Sequence, residues 1–218
     1  GWQEYTWSLP ADLVRQGLND LRFEFGRLDA PAEVLPGSGA IGGTGVQAPL
    51  AIEVNSGGPA DFAYITVGGE EGGQDDGHPI QDGSVHRPGY NVAVIDAGTG
   101  RLLQRQGFDT TPDGGPAQAA ALAAFLDAIP QGQIVAVAMQ GDGAAGLTAE
   151  AVAALRSIGS EVDPRGSSGW SHAIVGVKGA APGTALEAAG PDNGWLRVAP
   201  DRRTLAVAVD TIVWSRIE

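Results

Sequence analysis

The 218-residue chain has no cysteine, which excludes disulfides, thiolate chemistry and Cys-based zinc sites. Three histidines leave no evident metal or nucleophile constellation. Basic residues are also scarce, with 13 Lys and Arg against 26 Asp and Glu and a formal net charge of -13. Phosphate binding needs clustered cations, so the charge argues against a nucleic-acid partner and against docking on anionic lipid. No apolar run approaches the length of a membrane-spanning helix, and no signal peptide is visible. Any membrane association is therefore expected to run through parts outside this chain. The strand-like opening GWQEYTWSLP reads as cut from something longer. Glycine and proline are plentiful, at 34 and 14, yet 43% of residues are hydrophobic. That balance describes a globular, loop-rich protein large enough to bury a core.

The stretch from His86 to Gly143 organises the rest. Asn91 to Ile95 is an apolar run of strand length, Asp96-Ala97-Gly98-Thr99-Gly100 is turn chemistry, and Arg101 to Phe108 continues as a strand. Pro116 suits a first helical position, and Leu122, Phe125, Leu126 and Ile129 recur at helical spacing until Pro130 and Gly132 stop the helix. Ile134 to Met139 is a buried-looking strand. A second helix opens at Thr148, a good N-cap, with Leu147 placed to pack on Val152 and with Val152, Leu155 and Ile158 facing the core. Ala173 to Val177 reads as a buried strand, and Gly179 to Asn193 as a Gly/Pro/Ala-rich surface run.

Upstream, Leu50 to Val54 and Asp61 to Val67 are short strands around Ser56-Gly57-Gly58-Pro59. Leu35 to Gly45 is glycine-rich without the following helix that a phosphate loop requires, so it reads as a linker. At the ends, Leu21 to Phe25 alternates as a half-buried strand, and strands are expected at about Trp195 to Val198 and Thr204 to Trp214. These flanks resemble closing strands of a jelly roll, with 1–36 and 195–218 expected to pair. Trp2, Trp7, Trp195 and Trp214 read mainly as the core of that second sheet, though an exposed row of them is a sugar platform.

Catalysis finds little support. Gly169-Trp170-Ser171-His172 imitates a nucleophile elbow, but a strand follows instead of a helix, and neighbouring residues on a strand point to opposite faces. Asp109, Asp113, Asp127 and Asp142 are carboxylates that a glycosidase uses only when two flank one cleft. Asp109 fits better as the residue that orders the turn before the helix. Asp75, Asp76, His78 and Asp82, in the acidic 68–85 loop, have ligand chemistry for a hard cation but no recognised spacing. No cofactor is expected.

GYNVAVIDAGTGRLLQRQGFDT, LTAEAVAALRSIGS and SHAIVGVKG, taken in order, resemble the interleukin-like EMT inducer domain. That domain occurs in secreted cytokine-like proteins and in the sugar-binding stem of protein O-mannose N-acetylglucosaminyltransferase. The resemblance implies a mixed α/β sandwich of mainly antiparallel β-sheets with two principal helices over 46–194. The jelly-roll-like strands from both termini would flank it, with 37–45 as linker. Animal relatives carry disulfides, and this chain departs from them. In the stem domain the sugar contacts come from an arginine before the Gly-x-x-Val strand, an acid after the central strand and an arginine after an aromatic. Arg87 matches the first, displaced by Pro88, and Asp142 the second, with Gly141 at the strict position. Ser171 replaces the third, and Arg165 is the available substitute. Trp170 offers a ring for stacking. The resemblance thus implies a non-catalytic carbohydrate-recognition module of a larger cell-surface or secreted protein, with a glycan or glycoconjugate as partner. The alternative is a structural or protein-interaction module without a glycan site.

Overall fold

The computed structural model describes residues 39–58, 60, 62–68 and 80–200. The elements in order are β1 (Ile52–Ser56), β2 (Ala63–Val67), β3 (Gln81–Asp82), β4 (Gly89–Ile95), β5 (Leu102–Phe108), α1 (Pro116–Ala128), β6 (Ile134–Gln140), α2 (Ala149–Arg156), β7 (Ser171–Val177), β8 (Leu186–Gly190) and β9 (Gly194–Val198). They build a four-stranded sheet, β3-β2-β1-β9, and a five-stranded sheet, β5-β4-β6-β7-β8. The pairings between these strands are antiparallel. This is the mixed α/β sandwich that the sequence implies.

The five-stranded sheet is the middle layer. On one face, Tyr90, Val92 and Val94 of β4, Val135, Val137 and Met139 of β6 and Ile174 of β7 pack with Leu122 and Leu126 of α1 and Val152 and Leu155 of α2. On the other, Ala93, Ile95, Ile134, Ala136, Ala138, Ala173 and Val175 meet Ile52 and Val54 of β1 and Ile65 of β2. Cover on both faces explains why the central strands read as unbroken apolar runs while β1 alternates buried and half-buried residues. Small Ala and Gly residues on the inter-sheet side let the four-stranded sheet approach. An added Cβ on Gly83 would press on Ala93 and Ile65.

Local chemistry sets the element ends. Pro116 starts α1 after Gly115, and Thr148 caps α2 by accepting from the Ala151 N–H at 3.3 Å. Glu150 in the first turn of α2 and Arg156 in the last complement its dipole. Asp96 Oδ1 accepts from the N–H groups of Gly98 and Thr99, which closes the β4–β5 turn. Asp109 orders its turn by accepting from the N–H and hydroxyl of Thr111.

The expected surface run Gly179 to Asn193 is corrected, because it contains β8, hydrogen-bonded to β7 from Ser171↔Gly190 to Val175↔Leu186. Alanine and glutamate are weak strand formers, and the neighbouring edge of β7 supplies the order that propensity does not. Within 37–45, Ile41 is fully buried and the Gly43 N–H donates to Thr184 O at 2.8 Å. The strand expected near Trp195 is β9, and it pairs with β1. The expected strands at 21–25 and 204–214, and their pairing, lie outside the described residues, as do Trp2, Trp7 and Trp214. Trp195 is not a core residue: it faces outward, 50% exposed.

Candidate functional site

The strand register gathers one set of loops. Gly89 at the start of β4 pairs with Gln140 at the end of β6, and Ser171 at the start of β7 pairs with Gly190 at the end of β8. The loops 83–88, 141–148, 163–170 and 191–193 therefore leave the same end of the five-stranded sheet. Ser56 ties the other sheet to this end. Its hydroxyl donates to Met139 O at 2.6 Å and accepts from the His172 N–H at 2.9 Å.

Each loop has its own anchor. Asn91, fully buried, accepts from the N–H groups of Val85 and Arg87 and donates to Arg87 O at 2.7 Å. It fixes the backbone of Arg87 while the arginine itself stays exposed. His86 beside it adopts φ 52, a left-handed conformation that costs a histidine about 1 kcal/mol. Contacts of its ring with Ala63 O and Asp82 Oδ2, both at 3.1 Å, hold it there. The 141–146 loop is anchored by Thr110, whose hydroxyl donates to Gly143 O at 2.7 Å and whose carbonyl accepts from Gly146. Asp142, half-buried, accepts from the Ser168 hydroxyl at 2.9 Å and the Gly169 N–H at 3.1 Å. Its carboxylate is thereby held against the loop that leads into half-buried Trp170.

The two remaining expected residues hold other partners. The buried Ser171 hydroxyl donates to Asp192 O at 2.5 Å, with Gly190 O at 3.3 Å, and faces the inter-sheet side. Arg165 pairs with Asp163 at 2.6 Å, and that guanidinium holds the Asp163 carboxyl at about 2. Sequence reasoning missed the positioning roles of Asn91, Ser56 and Ser168. An asparagine heading an otherwise apolar strand was the one available signal.

A buried polar chain lies beneath this end. The Tyr90 hydroxyl is 2.8 Å from His172 Nδ1, and His172 Nε2 is 2.7 Å from Glu187 Oε1. Glu187 also accepts from Ser160 at 2.5 Å and from the N–H groups of Glu161 and Val162. Burial alone would raise the Glu187 carboxyl, but these donors, His172 first, outweigh it and hold it at about 2. Burial, with the Glu187 and Asp163 charges, pushes the Tyr90 phenol well above its ordinary range. One tautomer satisfies the chain, with Tyr90 donating to Nδ1 and Nε2–H donating to Glu187. His172 is thus a hydrogen-bonded core residue, on the opposite strand face from Ser171.

Of the hydrolytic candidates, Asp127 and Asp142 do not converge. Asp127 lies near Lys178, just past the far end of β7, while Asp142 meets the loop before its start. A seven-residue strand separates them by roughly 20 Å, against the ~5–9.5 Å of glycosidase pairs. Asp113 is exposed. Asp75, Asp76 and His78 lie outside the described residues, and Asp82 is engaged by His86 and Arg105. Among the described residues, no group of three or more His, Asp or Glu is arranged to hold a metal ion. No helix among them is long and apolar enough to cross a membrane.

Residues 88–180 match the model of the family described as interleukin-like EMT inducer. The match takes in β4 to β7 with both helices, and with them Asp142, Arg165, Trp170 and Ser171, while Arg87 lies one residue before it. Over these residues the chain is similar to the interleukin-like EMT inducer family.

Proposed function

We propose that the chain is a non-catalytic carbohydrate-recognition module of a larger secreted or cell-surface protein, binding at the end of the middle sheet. The observation that carries this is Asp142, a carboxylate pre-oriented by Ser168 and Gly169, with Trp170 next in sequence on the same loop. A sugar presents hydroxyls along its edge and C–H groups on its face. A fixed carboxylate and a guanidinium serve the hydroxyls through charge-assisted hydrogen bonds, and an indole serves the face. Asp142 takes the acceptor role, Arg87 the donor role and Trp170 the stacking role. Ser171 shapes the site from below by holding the 191–193 loop, and Arg165 lines the 163–170 loop.

The competing reading is a structural or protein-interaction module. What favours it is β5, an edge strand whose Leu103 to Gln106 are exposed. Amide NMR spectra recorded during titration with mannose, galactose and N-acetylglucosamine separate the two. Carbohydrate recognition predicts saturable shifts at Gly169, whose N–H bonds Asp142, and at Gly143. Shifts confined to β5 with a protein ligand, and none with sugars, would overturn the proposal.

A further inference from the structure

The outward face of the four-stranded sheet has a pattern that the loop-end site does not use. Ile52, Val54 and Ser56 of β1 point into the core, so Glu53 and Asn55 point out. The register puts Asn55 directly between Tyr64 on β2 and Trp195 on β9, and Glu53 between Thr66 and Arg197. Tyr64 and Trp195 are 52% and 50% exposed. Leaving such rings in water forgoes burial that stabilises core aromatics. Both are held in place all the same. Trp195 Nε1 donates to Glu53 Oε1 at 3.0 Å, and Tyr64 contacts the rings of Phe62 at 5.5 Å and His86 at 5.3 Å. Among the described residues, Asn55 Oδ1, on the strand between the two rings, is a buried acceptor without a hydrogen-bond donor.

We propose that the row Tyr64–Asn55–Trp195 is a second carbohydrate-binding platform. Two fixed rings, two strand spacings or about 10 Å apart, stack on sugar C–H faces. The Glu53 carboxylate beside them accepts from a sugar hydroxyl. The occupant is a neutral oligosaccharide instead of an apolar protein surface, because the ground between the rings is amide and carboxylate. The face is continuous with the loop-end site: Tyr64 touches His86, and His86 precedes Arg87. An extended glycan can therefore bridge both, yet the platform stands on its own residues.

The test is retention of the full chain on insoluble cellulose, chitin, mannan and β-1,3-glucan, with Trp195→Ala, Trp195→Phe, Tyr64→Ala and Arg87→Ala/Asp142→Ala variants compared. The platform predicts retention on at least one polymer that falls about tenfold in Trp195→Ala and in Tyr64→Ala and persists in Trp195→Phe. A component that survives Arg87→Ala/Asp142→Ala supports the platform even where the loop-end site fails. Retention lost only in Arg87→Ala/Asp142→Ala overturns the platform and leaves the loop-end site standing. Absence of retention on every polymer, with the chain folded by circular dichroism, overturns the platform as well.

Discussion

Replacing Glu187 by glutamine should remove a large share of stability at neutral pH and almost none in acid. Glu187 receives donors on both oxygens, His172 and Ser160 on Oε1 and the Glu161 and Val162 N–H groups on Oε2. A glutamine keeps the shape but turns an NH2 toward one of these pairs, so buried donors lose their acceptor at about 1–3 kcal/mol each. The side chain is 11% exposed, so water relieves part of this. The carboxyl leads to a similar figure. It lies at about 2 in the fold against an ordinary 4.5, a difference worth roughly 3 kcal/mol. Because the folded value is depressed, the unfolded chain binds the proton more readily. The contribution is therefore complete above about pH 4.5 and is lost as pH falls through that value towards about 2. Urea denaturation of the wild type and Glu187→Gln should show a gap of about 3 kcal/mol at pH 7, or ~6–12 °C in Tm. The gap should close progressively between pH 4.5 and the acid limit. A gap below about 1 kcal/mol at pH 7, or one that does not change with pH, would refute the reasoning.

Leu122→Ala should cost about 2–5 kcal/mol in denaturant titrations, since Leu122 is fully buried between α1 and the middle sheet. Gly176→Ala should cost about 3 kcal/mol or more or fail to fold, because the added Cβ would fall on the Ile158 carbonyl. Gly190→Ala, with open space at its Cβ, should stay within about 0.5 kcal/mol in the same assay. Thr148→Ala should lose about 1 kcal/mol with the N-cap of α2, seen as a matching drop in the denaturation midpoint.

Sequence pattern carried some elements further than others. The strands β4, β6 and β7 were legible because cover on both faces makes them continuous apolar runs of β-branched residues. The helices were legible from Pro116, Thr148 and the spacing of Leu122, Leu126, Val152 and Leu155. β8 was not, since Leu186 to Gly190 has weak strand propensity and forms because β7 offers it an edge. Missing β8 also hid Glu187, whose partners His172 and Ser160 come from β7 and the loop after α2. Motif comparison pointed to Arg87 and Asp142, but the anchors that orient them, Asn91 and Ser168, act through backbone and loop hydrogen bonds that pattern does not encode. Nothing in the alternation around Trp195 separates an inward from an outward ring. Its register opposite Asn55 decides that it faces solvent.

A glycan-array screen of the chain beside its Arg87→Ala/Asp142→Ala variant tests the central claim most directly. The account predicts binding to a defined set of glycans that the double variant loses while its fold, read by circular dichroism, is unchanged. A folded wild-type chain that binds no glycan would contradict it, as would one whose binding the double variant keeps in full.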